Sequence, residues 1–386
     1  MNRKIKIPAM AIILVIIILI VAIIIILSKK KNIKKVEPQT NNNEPKQSRR
    51  IESTDDEIMI VPTMNDEISS NSAWCATFQL VWNDMKNEVV KQDIVFTPQL
   101  EIVENLNKED FDESMISDEY YYKKYGLKTL DLKEEIERGI KEKFNQTSDI
   151  LDLFDWSNDD LDDSNNPDVK RYFFYTMLYR NFEFINKFDK LENGRFGDNY
   201  NDVEYFGIDG QTNEVVGNQI NVLYYNSKDD FAIVINTKSD DEVIFCKNPE
   251  GHTFNEIYDN MNNKAERYND NSNFEEIDEF KAPKINFDEL KEYDELENKE
   301  FETANGVAQI TKAMQTIKFS LDEKGGEIKS EAAIGMYETT AVFEPEIEEK
   351  KPRYFYVDDT FAIFLREKHK EKPYFAAVVD DITELQ

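Results

Sequence analysis

Apolar residues are arranged in three different ways along this chain. Ile7 to Leu27 is an unbroken apolar run of 21 residues, sixteen of them Ile, Leu or Val. At about 1.5 Å per residue, a helix of that length spans roughly 30 Å, the hydrocarbon core of a bilayer. Residues 36–68 follow, and from Val36 to Arg50 they are Asn, Gln, Glu, Pro and Lys with almost nothing to bury. Such a stretch cannot offset its own ordering entropy, so it reads as a disordered polar linker. From residue 69 to 386 the periodic patterns of a folded domain take over. Phe78, Val81, Trp82 and Met85 lie at i, i+3, i+4 and i+7, which predicts a helix over Ala76–Val89. Leu132, Ile136, Ile140 and Phe144 recur every four residues and predict a second helix over Asp131–Phe144. Between them, Gln92–Pro98 reads as a short strand closed by Thr97-Pro98. Beyond residue 170 the period falls to near two. Strands are expected at Val169–Tyr179, Asn218–Tyr225, Phe231–Asn236, Glu242–Phe245, Phe280–Phe287, Ala313–Leu321, Tyr354–Val357, Phe361–Arg366 and Pro373–Val379. A short helix at Phe254–Asn263 interrupts them. Helices first and strands afterwards predict an α+β fold with large mixed sheets.

Charge divides the chain at the same places. The 386 residues hold 47 Lys and Arg against 78 Asp and Glu, a formal net charge of −31. Residues 1–35 carry eight of the basic residues and no acid, so the stem is +8 and the rest is −39. A basic-flanked apolar run reads as a single-pass transmembrane anchor, a signal-anchor held by residues 7–27. Three lysines follow Ser28 where a cleaved leader would carry small residues. Counting the terminal amine, the flanks carry four and five positive charges, so the positive-inside rule selects no orientation. A body this acidic repels phosphate and argues against a nucleic-acid partner.

The residues that carry chemistry are sparse. Two cysteines and two histidines, far apart, exclude a zinc cluster and a disulfide framework. His252 (NPEGHTF) and His369 (REKHKEK) lie in polar turns with no nucleophile motif nearby. Neither GxSxG, HExxH nor a glycine-rich phosphate loop occurs. Cys75 precedes a predicted helix, a place where a thiol pKa can fall. No base flanks it, and Cys75 and Cys246 both read as buried small hydrophobes. The acidic stretch 156–168 lacks the central Gly and closing Glu of a calcium loop and reads as a solvated turn. We therefore expect no catalytic residues, no metal and no cofactor.

The C-terminal third carries a resemblance. ITKAMQTIKFSLDEKGGE (Ile310–Glu327) resembles the serpin strand that runs into the reactive loop, with Asp322, Glu323, Gly325 and Glu327 at the matching points. FYVDDTFAIFLRE (Phe355–Glu367) is similar to the family's F-x-A-D-x-P-F-x-F-x-I-R-D segment, with Thr360 in place of Pro. YFAAVVDDI (Tyr374–Ile382) is similar to its closing strand. Earlier pieces occur in family order: DIVFTP (Asp93–Pro98), LYRNFEFINKF (Leu178–Phe188), INVLYYNSKDDFAIVI (Ile220–Ile235) and FKAPKI (Phe280–Ile285). The chain departs from the pattern between Pro98 and Glu119, where the family has several helices and a strand of its central sheet.

The resemblance implies a serpin-like fold with an exposed reactive loop, here Gly325 to about Arg353. In that family a protease cleaves the loop, which then inserts as a new strand and traps the acylated enzyme. The hinge would be Gly325, Gly326, Glu327, Ile328, Lys329 and Ser330. Alternate residues from Gly326 to Met336 are small or apolar, as a half-buried strand requires. Family spacing sets cleavage near Thr339 and Thr340. Met336, Tyr337 and Val342 suit a protease with an apolar specificity pocket, and no Arg or Lys lies between Lys329 and Lys350. The expectation is a protease inhibitor at the cell membrane with its acidic domain extracytoplasmic. The alternative is a non-inhibitory serpin-fold binding protein at the cell surface. Bulky Ile328 and Lys329, where the family prefers Ala and Thr, point that way.

Overall fold

A computed structural model of the chain describes residues 58–156, 170–198, 200–208, 214–329, 351–383 and 385–386. All lie in one compact unit, Ser53–Gln386. Its strands begin with β1 (Met59–Ile60), β2 (Ser72–Cys75), β3 (Tyr121–Leu127), β4 (Tyr172–Leu178), β5 (Arg180–Glu183), β6 (Asp189–Lys190) and β7 (Gly194–Phe196). Next come β8 (Tyr200–Val203), β9 (Tyr205–Ile208), β10 (Ile220–Ser227), β11 (Asp230–Asn236), β12 (Asp241–Lys247), β13 (Glu279–Pro283) and β14 (Ile285–Glu292). The last are β15 (Glu300–Thr303), β16 (Gly306–Gln309), β17 (Met314–Asp322), β18 (Gly325–Ile328), β19 (Tyr354–Tyr356), β20 (Phe361–Glu367) and β21 (Pro373–Val379). The longer helices are α1 (Thr77–Asp84), α2 (Glu101–Asn107), α3 (Leu130–Phe144) and α4 (Phe254–Arg267).

The expected α+β class is what these elements build. The largest sheet has seven strands in the order β1-β2-β21-β20-β12-β11-β10, parallel between β1 and β2 and antiparallel elsewhere. Every residue of β21 is buried, because the strand lies mid-sheet with both faces covered. A four-stranded mixed sheet, β19-β13-β9-β6, packs Phe280 against Phe188, Phe206 and Phe245. A second four-stranded sheet, β14-β17-β18-β5, is antiparallel throughout. β4 leads into β5 after the single residue Tyr179 and pairs with β3.

α3 forms where the four-residue spacing predicts it. Thr129 accepts the N–H of Leu132 at its start, and Asn145 takes a left-handed turn at its end. Leu132, Ile136, Ile140 and Phe144 are its buried residues, packed with Phe173, Tyr175, Met177 and Tyr179. α1 continues into a wider-pitched turn, Met85–Val90, so the expected Ala76–Val89 helix is present with a changed pitch.

Three expectations need correction, and one strand had none. Gln92–Pro98 is extended but pairs with no strand. Ile94 and Phe96 point inward, and Asn107 and Gln99 side chains take the backbone groups a ladder would have used. The expected strand Phe280–Phe287 is two, β13 and β14, which break at Lys284 and join different sheets. β3 was not anticipated: among the described strands it is paired on one side only, and Lys123, Lys124 and Gly126 hide its period. Residues 58–68, assigned to the linker, belong to the fold. Ile58, Ile60, Val61 and Met64 are buried in the main core, and β1 pairs with β2.

Between Pro98 and Glu119 the chain forms α2 and the short 3-10 turns Glu113–Met115 and Asp118–Tyr120. Among the described residues no helix is long and apolar enough to cross a membrane, and residues 7–27 lie outside them.

Candidate functional site

The segment that the sequence marks as a hinge begins at the end of β17. Its alternate residues Ile317, Phe319 and Leu321 face the core. A turn at Glu323-Lys324 closes it. The Lys324 N–H donates to Asp322, and the Glu323 and Lys324 carbonyls accept from the N–H groups of Phe188 and Phe184. Glu323 is 2% exposed, with Lys187, Lys190 and Lys284 at 3.6, 3.7 and 3.9 Å. Burial pushes its carboxyl up, but a backbone N–H and the three lysines outweigh that and hold it below its usual range.

The chain then reverses into β18, which runs antiparallel between β17 and β5. Gly325 lies opposite Asp322 and Glu183, Gly326 opposite Leu321 and Phe182, and Ile328 opposite Phe319 and Arg180. Ile328 is 3% exposed, whereas Glu327 faces solvent. Lys329 donates to Asp149 and to the Thr147 carbonyl at 2.7 and 3.0 Å. Ser330, Met336, Tyr337, Thr339 and Thr340 lie outside the described residues.

Below Ile328 and Lys329 is a cleft of about 1200 Å³. Tyr172–Leu178 of β4 and Met314–Lys318 of β17 line it, together with Thr77, Phe78 and Trp82 and the β15–β16 hairpin. Among the described strands, β14 pairs with this part of β17 and β3 with β4, each on one side. Between the two edges that line the cleft there is no strand among the described residues.

Arg180, the cross-strand neighbour of Ile328, heads a buried polar cluster that the sequence reading missed. Its guanidinium is 2.6 Å from Asp241 and 3.4 Å from Glu367, and it lies 3.5 Å from the Tyr120 ring centre. Asp241 also accepts from Tyr374 (2.8 Å) and Ser239 (2.9 Å). Burial raises the Asp241 carboxyl above its ordinary value despite Arg180. The available signal was a lone Arg in the otherwise apolar run FFYTMLYRNF.

The far end of the loop is tied down by Arg353. Its guanidinium bonds both oxygens of Asp278, at 2.7 Å for the closest, and the Asn271 carbonyl at 2.7 Å. The next residues form β19, which pairs in parallel with β13. The two cysteines are free and buried, and burial pushes both thiols up to about 11. Among the described residues no group of His, Cys, Asp and Glu could hold a metal.

No family model matches the chain, and no curated protein matches it. Among solved structures it is similar to mouse protein-Z dependent protease inhibitor, at 13% identity and TM-score 0.47. That match covers 81% of this chain and 91% of the other. It is similar to human thyroxine-binding globulin complexed with its hormone, at 12% identity and TM-score 0.45, covering 82% and 93%. It is also similar to Serpin48 of the insect Tenebrio molitor, described as highly specific, at 12% identity and TM-score 0.43, covering 81% and 92%.

Proposed function

We propose that this chain is a membrane-anchored serpin-like protein that uses the loop between Gly325 and Arg353 as bait for a protease. The observation that carries the reading is the position of β18 between β17 and β5 at the head of an open cleft. After cleavage, the freed segment would continue β18 down the cleft. Extending the register sets Ala332 opposite Gln315 and Thr176, and Met336 opposite Tyr172. The side chains that turn inward with Ile328 are then Ser330, Ala332, Ile334 and Met336, which are small or apolar. Both edges would gain a strand partner, and backbone pairing with burial would drive the insertion.

The target is a serine or cysteine protease with an apolar pocket, cutting near Met336 to Thr340. Residues 7–27 hold the acidic domain at the cell membrane on its outer face. A second reading, a non-inhibitory binding protein, is favoured by Lys329, whose bonds to Asp149 and Thr147 hold the hinge where fast insertion needs it free.

The full-length chain mixed with chymotrypsin-, elastase- and subtilisin-type proteases separates the two. A covalent complex that survives SDS, with a rise in thermal stability of the cleaved chain, is expected. Clean cleavage near residues 336–342 with neither effect would leave the binding protein.

A further inference from the structure

Two neighbouring positions in β18 have no room for a side chain. A Cβ on Gly325, whose φ is +151°, would land on the Phe182 carbonyl oxygen. A Cβ on Gly326 would lie 2.6 Å from the Phe182 ring, 2.6 Å from the Ser320 carbonyl oxygen and 3.1 Å from Leu321. The ring cannot easily yield: Phe182 is 2% exposed and packs edge-on against Phe184. The chain supplies two consecutive glycines at these positions, flanked by Lys324 and Glu327. A slip of one residue in either direction would put a lysine or a glutamate side chain where none fits. Such a slip would also turn Ile328 outward and Glu327 or Lys329 into the core, because side chains alternate along a strand.

We propose that the Phe182 ring acts as a register key read by Gly326, while the neighbouring Gly325 is required by the β5 backbone itself, at the Phe182 carbonyl. In this role Phe182 is a positioning residue: it decides which face of the strand entering the sheet is buried. The inference rests on the proposed insertion of the loop and deepens it, since the register fixed at Gly326 is the one any continuation must follow. It also implies that the first residues of the hinge are seated in the sheet before any cleavage.

The test is cysteine labelling of the full-length chain, whose own thiols are buried. A maleimide should react quickly with Glu327→Cys and slowly with Ile328→Cys. Adding Gly326→Ala should raise labelling at position 328 by about tenfold, since overpacking a tight strand favours local opening. Measured against Phe182→Leu alone, which lacks the far end of the ring, Gly326→Ala should give a smaller increase, the remainder being set by the Ser320 carbonyl. Hydrogen exchange over Asp322–Ile328 gives the same comparison without the introduced cysteine. An unchanged rate after Gly326→Ala, or an equal increase with and without Phe182, would overturn the proposal. Neither readout needs a protease. An intact register key with no covalent protease complex would therefore overturn the inhibitory reading alone.

Discussion

Arg180 and Asp241 form an ion pair of 2.6 Å in which neither side chain is more than 2% exposed. It joins β5 to β12 and so ties the hinge-bearing sheet to the seven-stranded one. Removing one charge strands the other in the core. Arg180→Met should therefore cost about 3–5 kcal/mol, whereas Arg180→Met with Asp241→Leu should recover only part of it, because Glu367 still lacks its Arg180 partner. Denaturant midpoints of the three chains decide the matter. A neutral single variant would mean that water reaches Asp241 in solution.

Asp358 is held between two lysines, Lys247 at 2.6 Å and Lys281 at 3.0 Å. Burial pushes its carboxyl up, but the bonds and charges of Lys247 and Lys281 outweigh that and keep it below the usual aspartate range. The folded state thus holds this proton more weakly than the unfolded chain does. Its stabilisation is complete above the ordinary aspartate pKa of about 3.9 and is lost as pH falls through the lower folded value. Lys281→Met should move the acid-unfolding midpoint to higher pH, followed by tryptophan fluorescence.

Gly139 lies mid-helix in α3, where alanine ordinarily stabilises by about 0.5–1 kcal/mol. Here a Cβ would run into the Tyr122 ring. Gly139→Ala should instead destabilise by about 1–2 kcal/mol. In a Tyr122→Ala background the sign should reverse. Thermal unfolding of the four chains reads both signs.

Cys75 and Cys246 should be silent towards a disulfide reagent at pH 8 in the folded chain and should both react after denaturation. Their burial and raised pKa leave almost no thiolate. A fast thiol in the native state would refute this. Reducing agent should leave stability unchanged, because both cysteines are free.

The elements that could be read in the sequence are those whose side chains decide their own burial. α3 shows its buried face in four apolar residues, and β21 is apolar throughout. β3 was hidden because an edge strand tolerates lysine and glycine. Gln92–Pro98 looked like a strand because Ile94 and Phe96 do alternate inward, but side chains rather than a ladder hold its backbone. The polar cluster could not be read, because Arg180 meets Glu367 across 187 residues of chain. At the hinge, the two glycines were visible as a flexible pair. Their purpose was not, since it lies in the β5 backbone that Gly325 meets and the Phe182 ring that Gly326 meets, more than a hundred residues earlier in the chain.

The described fold begins at Ile58 and β1, and this bears on how the body would respond to a pull from that side. Such a pull would meet a two-residue parallel pairing, with the bonds from Met59 to Asn71 and from Val61 to Ala73. Around it, Ile58, Ile60, Val61 and Met64 are set in the main core like pegs. The seam would therefore resist a pull more through buried apolar side chains than through backbone pairing. It would give way before β2 is disturbed, as a mechanical fuse at the rim of the sheet farthest in strand order from β10.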